Sequence, residues 1–483
     1  MIGESEEING SSERQPEGGH RSSCSRRRQS ESACRVACQS SSRFVDVVWP
    51  TDTLPVPFAV RSTLREGEEI MSRLAAGVAS CCFGWILMAS ASADDTPVKW
   101  ERIKLEEIFR AEGVAVADVN KDGRLDLING EAWYEQPSDP SVFKSGDWKK
   151  HPLRADGLKD FKADGGYSRN FALWTYDISG DGWQDVIVIG FPGVPCHWFE
   201  NPKGKEGPWA EYEIWHSAAN ETPQFQDITG DGKPELIMSS ETEQMMGYLE
   251  IPAPAQATKK WTYTQVNGEK LGPQLGHRYY HGLGLGDVNK DGRKDIVIPH
   301  GWWEQPAKLN DGPWTFHKHV LKGNGEGNPE TAADIYVDDL DGDGDNDILM
   351  SAAHHIGVWW FENVGGSPDP KFKQHLIDDT FSQTHALHYQ DVNGDGVKDL
   401  ITGKRFYAHG SGGDPDPKGE VVMFWYEIKK TAGKPPQFTK HKIEAGSDTG
   451  IGTQFYVGDF NGDKLLDIVL SNKKGTNVLL QKR

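Results

Sequence analysis

One pattern of apolar and polar positions repeats along residues 96–483. A short alternating segment, such as Gly282-Leu-Gly-Leu-Gly-Asp287 or Ala386-Leu-His-Tyr-Gln-Asp391, runs into a nine-residue acidic stretch. An apolar run follows it, as in Asp-Ile-Val-Ile at 295–298 and Asp-Ile-Val-Leu at 467–470. Next come a Gly-containing turn and an aromatic segment: Trp133-Tyr-Glu-Gln-Pro137, Trp198-Phe-Glu-Asn-Pro202, Trp302-Trp-Glu-Gln-Pro306, Trp360-Phe-Glu-Asn363 and Trp425-Tyr-Glu427. A basic, aromatic segment ends the unit, as in Trp148-Lys-Lys-His-Pro-Leu153, Phe316-His-Lys-His-Val-Leu321, Phe372-Lys-Gln-His-Leu376 and Phe438-Thr-Lys-His-Lys-Ile443. Short β-branched and aromatic runs bounded by Gly, Pro, Asn and Asp read as strands, so each unit predicts four of them.

The acidic stretch occurs seven times, with first acids 59, 50, 60, 52, 52 and 68 residues apart. Oxygen side chains fall at its positions 1, 3, 5 and 9: Asp118, Asn120, Asp122 and Asp126; Asp177, Ser179, Asp181 and Asp185; Asp227, Thr229, Asp231 and Glu235. The later copies give Asp287, Asn289, Asp291 and Asp295; Asp339, Asp341, Asp343 and Asp347; Asp391, Asn393, Asp395 and Asp399; Asp459, Asn461, Asp463 and Asp467. Carboxylates at alternate positions, with Gly at the sixth in six copies, are how a tight loop wraps a hard cation, so up to seven Ca2+ ions are expected. An EF-hand is excluded, because its position-12 Glu is Asn129 in the first copy and Ile298 in the fourth, and strands rather than helices follow.

Seven units of four strands predict an all-β, seven-bladed β-propeller with one calcium loop per blade. Only one strand, Asn477-Val-Leu-Leu480, fits after the seventh loop, and Val98-Lys-Trp-Glu-Arg-Ile-Lys-Leu105 supplies the missing outer strand. Closing the ring in this way removes free sheet edges. Most of the 17 Trp are then read as packing between neighbouring blades.

Composition sets the N-terminal part aside. Residues 1–70, rich in Ser, Arg and Glu, read as a disordered leader or an over-extended gene model. From Met71, a basic start, an apolar stretch Leu74–Met88 and Ala91-Ser92-Ala93 have the order of a secretory signal, so 94–483 is the expected exported chain, periplasmic or extracellular. That chain keeps one Cys, Cys196, and forms no intrachain disulfide. It holds 42 basic and 61 acidic residues, a net charge of −19. The acidic excess argues against nucleic acid as partner. No membrane span in the mature chain and a monomer are expected.

The loops with their flanking strands resemble the FG-GAP (VCBS) repeat of integrin alpha propellers. The signatures His281-Gly-Leu-Gly-Leu-Gly-Asp287, Gly301-Trp-Trp-Glu-Gln-Pro306, Thr402-Gly-Lys-Arg-Phe406 and Gly450-Ile-Gly-Thr-Gln454 more closely resemble secreted propellers common in planctomycetes. More loosely they are similar to the propeller part of fungal aldos-2-ulose dehydratase, which acts on oxidised sugars. That resemblance implies a lyase or isomerase on a keto-sugar as one alternative. A carbohydrate- or protein-binding module, or a non-catalytic adhesion scaffold, are the others.

In blades of this type the metal loops lie on one face and the starts of the first strands on the other. Six residues before each first acid stand Glu112, Phe171, Glu221, His281, Ala333, His385 and Thr453, expected to converge on the channel. The turns after the second strands add Glu131, His300, His354, His355, Lys404 and Arg405, with Arg169, Tyr280 and His277 just outside. Such a set suits one transition metal or a polyhydroxylated anion. His281 and His385 are the expected ligands or acid/base groups, and Arg405 with Lys404 would orient a carboxylate or enolate oxygen. Histidines of the outer strands (His151, His319, His375, His441) are expected at a solvated edge.

Overall fold

Each acidic loop joins two antiparallel strands. In the first repeat Asp118–Asp126 leads from Ala115–Ala117 into Asp126–Asn129, and the chain continues through Ala132–Glu135 and Lys149–Pro152. The computed structural model describes residues 97–271, 275, 278–323, 332–406, 408–445 and 449–483. The expected leader, the signal segment and His277 lie outside the described residues.

The loops share one geometry because one carboxylate organises each of them. The first Asp accepts the backbone N–H of the sixth residue in all seven copies, at 2.8 to 3.1 Å. That sixth residue is left-handed throughout, with φ from 70° to 102°, which is why Gly stands there in six copies. Lys464 adopts the same conformation in the seventh, at φ 70°. The ninth residue begins the second strand, with its carboxylate buried. Asp126 accepts from Val119 N at 3.1 Å and Gln136 N at 2.9 Å, tying the loop to the end of the third strand. Asp295, Asp347, Asp399 and Asp467 repeat that double tie.

The strands form five separate four-stranded antiparallel sheets and one eight-stranded sheet. The larger sheet is two such meanders side by side, joined where Leu283–Gly286 pairs in parallel with Ala332–Asp338. The last sheet takes its outer strand from the other end of the described chain: Lys99–Glu106 pairs antiparallel with Gly475–Lys482. Apolar side chains gather between successive meanders rather than in one centre. Ile187, Trp198, Leu236 and Met238 join the second and third repeats. Val297, Trp302, Ile348 and Trp359 join the fourth and fifth, and Ile103, Leu127, Val469 and Leu480 join the last to the first. Sheets packed face to face around a ring form a β-propeller. Its one described α-helix is Pro140–Ser145.

Of the outer-strand histidines expected at a solvated edge, His375 and His441 keep partly exposed side chains, at 28% and 37%, whereas His151 is buried. His151, His375 and His441 stack on Trp133, Trp360 and Trp425 with ring centroids 3.9, 4.4 and 4.2 Å apart. Each Nε2 meets the Glu two residues beyond its Trp, at 2.7 to 3.1 Å. In the fourth repeat His317, not His319, takes this place, 4.1 Å from Trp302 and 2.7 Å from Glu304. Cross-strand pairing draws these rings onto the neighbouring indole, and His151 is only 7% exposed.

Around the axis the innermost strands enclose two cavities of about 170 and 260 Å3, both lined by Trp174, Phe225, His388 and Phe455. Side chains bridge the strands there. Gln454 pairs with both the N–H and the carbonyl of Leu173 at 2.8 Å, and Gln224 donates to Asp334 at 2.8 Å. Asp334 in turn accepts Leu387 N at 2.9 Å, and His388 Nε2 lies 2.7 Å from Phe455 O.

Removing residues 97–106 would bare the edge of Gly475–Lys482. The truncated chain is expected to aggregate, whereas the full chain elutes as a discrete species in size-exclusion chromatography. A well-behaved truncated chain would show that the closing strand is dispensable.

Candidate metal centre at the channel mouth

His281 and His385 stand two residues before the innermost strands Leu283–Gly286 and Leu387–Gln390, and His354 lies in the turn after Asp347–Ala352. The ring pairs His281–His354, His354–His385 and His281–His385 have centroids 4.4, 4.6 and 5.7 Å apart. One nitrogen from each ring lies within 4.8 Å of the other two; His281 and His385 are buried, and the His354 side chain is 11% exposed.

The hydrogen bonds fix which nitrogen is free. His281 Nδ1 is 2.8 Å from Tyr279 O, His385 Nδ1 is 3.4 Å from Gln383 O, and His354 Nδ1 is 3.2 Å from Asp414 Oδ1. Carbonyl and carboxylate oxygens only accept, so each Nδ1 carries a hydrogen, and Nε2 keeps its lone pair in His354 and His385; Nε2 of His281, which also faces Glu221 Oε2 at 3.4 Å, presents one only when a cation displaces its proton. The three nitrogens converge. His354 Nε2 faces His281 Nε2 at 3.0 Å, and the buried His385 Nε2 has no hydrogen-bond partner among the described residues. Two lone pairs at that distance repel unless a proton or a cation lies between them. Nδ1 held by an oxygen and Nε2 turned inward is how histidines present themselves to a metal.

Backbone strain serves the same arrangement. Tyr279 and Gln383, which supply the two accepting carbonyls, have φ of 69° and 61°. A bulky residue in the left-handed region costs on the order of 1–3 kcal/mol, and such strain collects at functional sites. Here it turns each carbonyl back onto the imidazole two residues later.

Glu221 joins the cluster, its Oε2 3.4 Å from His281 Nε2 and 3.5 Å from Arg405 Nη1. Burial opposes its charge, but His281 and Arg405 outweigh burial and hold its carboxyl at about 2. Glu112 stands on the other side of the guanidinium, Oε1 3.5 Å from Arg405 Nη2, and accepts from the Ser168 N–H and hydroxyl. For Glu112 burial prevails over Arg405 and Ser168 and raises the carboxyl. Two carboxylates flank one arginine, pushed in opposite directions. Burial also lowers His354 to about 4 and, with Arg405 beside it, His385 well below the ordinary imidazole value, so both rings are neutral near pH 7.

Of the described residues expected at the channel, Glu112, Glu221, His281, His354, His385 and Arg405 are linked by these contacts, and the others are not. Lys404 turns away: its ammonium is held by Ser382 Oγ at 2.6 Å and by Asp416 O and Oδ2 at 2.6 and 3.2 Å. Arg169 is taken by Glu131 and Asp156, which also removes Glu131 from the cluster. Tyr280 Oη pairs with His300 Nδ1 at 2.6 Å. His355 is exposed, and only its carbonyl is used, accepting Gln383 N.

Further residues, which the count back from each loop does not name, complete the site. Asp414, in the segment joining Asp399–Gly403 to Val422–Thr431, lies between His354 and His409, which is 3.0 Å away. Hydrogen bonds from both imidazoles overcome burial and hold Asp414 below the usual carboxylate range. No periodicity marks that segment. Lys473 occupies the turn after the second strand of the last repeat, a position the repeat itself singles out. At the rim, Tyr167, Phe191 and Tyr279 form a continuous aromatic ledge, with centroids 4.9 and 5.3 Å apart and Tyr279 42% exposed.

Residues 177–238 and 339–402 match the model of the FG-GAP-like repeat. The chain is thus a β-propeller carrying FG-GAP-like repeats. Its solved neighbours include an Agrocybe aegerita lectin, described by its specific recognition of non-reducing terminal N-acetylglucosamine, at 15% identity and TM-score 0.40. That match covers 80% of this chain and 99% of the lectin. YCF48 from Cyanidioschyzon merolae matches at 11% identity and TM-score 0.40, over 79% of this chain and 98% of its own. No curated protein matches the sequence.

Proposed function

We propose that this chain is an exported, calcium-bound propeller whose channel mouth binds a small, oxygen-rich ligand, of the carbohydrate class, at a transition-metal centre. The reading of seven blades counts the eight-stranded sheet as two. His281, His354 and His385 hold the metal through Nε2, with Glu221 as the oxygen ligand. The convergence of one nitrogen from each of three imidazoles on one point carries this reading. A metal held there supplies Lewis acidity toward a carbonyl or hydroxyl oxygen. The aromatic ledge of Tyr167, Phe191 and Tyr279 supports a sugar ring, because ring C–H faces stack on such surfaces.

The calcium reading draws support from the loops. Asp227, Asp231 and Glu235, and likewise Asp459, Asp463 and Asp467, bring oxygens of loop positions 1, 5 and 9 within 4.8 Å of one another.

A second reading, a lyase or isomerase on a keto-sugar, is favoured by the two carboxylates pushed apart around Arg405. Glu112, kept toward its protonated form, would deliver a proton, while Arg405 steadies negative charge on the substrate. Metal analysis of the purified chain tests the shared centre: about one equivalent of a transition metal is expected beside calcium. Incubation with 2-keto-sugars then separates the readings, because the enzyme yields a new ultraviolet-absorbing enone product and the binding module yields only a rise in melting temperature. A protein devoid of transition metal would refute both.

A further inference from the structure

One charged group at this mouth makes no direct ion pair among the described residues, although Glu112, Glu221 and Asp164 act on it from a distance. Lys473 is 3% exposed, yet among the described residues no carboxylate comes within ion-pair distance of its ammonium. Its hydrogen bond to Ala408 O is long, 3.5 Å. The rings of Tyr167 and Phe109 lie 4.4 and 5.8 Å away and offset part of the cost of burying the charge. Burial, with Arg405 nearby, pushes the amine down to about 8.

Lys473 belongs to the histidine cluster by a short chain of contacts. Ala408 O, which it touches, also accepts Tyr167 Oη at 2.9 Å, and Ala408 N donates to Gln383 Oε1 at 2.9 Å. Gln383 O is the acceptor for His385 Nδ1. Arg405 is similarly underused. It is 1% exposed, its Nε and Nη2 make no hydrogen bond among the described residues, and its carboxylate neighbours stand off at 3.5 Å.

Charge accounting then points to a ligand. With a divalent ion bound, the pocket holds that ion, Arg405 and Lys473 against Glu112 and Glu221. Asp414 is already matched by His409. Two positive charges are left over even if Glu112 is ionised, in a place where burial makes uncompensated charge costly. A neutral sugar does nothing to balance them.

We infer that the ligand of this site is an anion, a sugar acid or related hydroxycarboxylate, whose carboxylate lies between Lys473 and Arg405 while its other oxygens reach the histidine cluster. The inference rests on the metal-centre reading and names the substrate class for it.

The test is calorimetric titration of the metal-loaded full chain with D-glucuronate, D-galacturonate and D-gluconate against D-glucose, D-galactose and D-sorbitol, at fixed pH and ionic strength. At least one acid is expected to bind about tenfold or more tightly than its neutral partner. Lys473→Met should abolish that preference, and Lys473→Arg should keep most of it, with metal content read on each variant. The inference is overturned if no acid is preferred, or if the preference survives in Lys473→Met. A metal-loaded wild type indifferent to the carboxylate overturns the anion inference alone, whereas a wild type without transition metal overturns the centre as well. Should Lys473→Met fail to fold, the wild-type panel and Lys473→Arg still decide.

Discussion

Excess chelator is expected to lower the melting temperature of this chain by about ten degrees or more, and the loss should deepen as pH rises from about 4 to 7. Residues 94–483 carry a net charge of −19, which seven divalent ions would reduce to −5. In each loop the ninth-position carboxylate is buried, and burial lifts Asp126, Asp295 and Asp399 to about 7 and Asp185, Asp347 and Asp467 to about 6. An unfolded Asp titrates near 3.9, so between these values the folded state binds more protons than the unfolded one. The contribution of these six groups without calcium is therefore fully present at about pH 4 and is lost as pH rises through the folded values. Each group contributes about 1.4 kcal/mol per pH unit across that window. Bound calcium compensates the carboxylates and should remove the slope. Thermal melts at pH 5 and pH 8, with calcium and with chelator, check this. Four coincident melting temperatures would eliminate the ions as structural elements.

The second large effect concerns the channel. His281→Ala, His354→Ala and His385→Ala should each strip the transition metal while leaving calcium content unchanged and the melting temperature within a few degrees. The apolar clusters between sheets do not include these rings. Asp414→Asn should act more mildly, weakening the metal by about 10- to 100-fold, because it orients His354 without touching the ion. Elemental analysis after dialysis reads all four variants. Retention of full metal content in both His281→Ala and His385→Ala would rule out the cluster as the binding site.

Much of this was legible in the chain because a repeat turns sequence position into spatial position. Counting back six residues from each loop finds His281 and His385, and the turn after the second strand finds His354 and Arg405. What the count does not supply is the direction of each side chain. Lys404 and Arg405 are adjacent in an extended segment, so they leave its opposite sides, and only one reaches the cluster. Arg169 occupies the right region but is captured by Asp156 and Glu131. Asp414 lies in a segment without period, and its role follows from where that segment folds. Strand alternation gives the exposure of the outer histidines, which His375 and His441 keep in part, whereas the cross-strand partner gives contact and, at His151, burial. An indole opposite an imidazole covers it.

The bridges across the axis bear on how this ring comes apart. In an open array each unit touches only its neighbours, so the ends fray first and stability grows unit by unit. Here Gln454 ties the last repeat to the second, Gln224 ties the third to the fifth, and Lys99–Glu106 seals the circle. No unit is terminal, and loosening one strains contacts two units away. Local opening is therefore confined to rim segments, and exchange of the innermost strand amides proceeds only through global unfolding. The histidines at the channel mouth stand on this part of the molecule, so their mutual geometry persists for as long as the ring itself does.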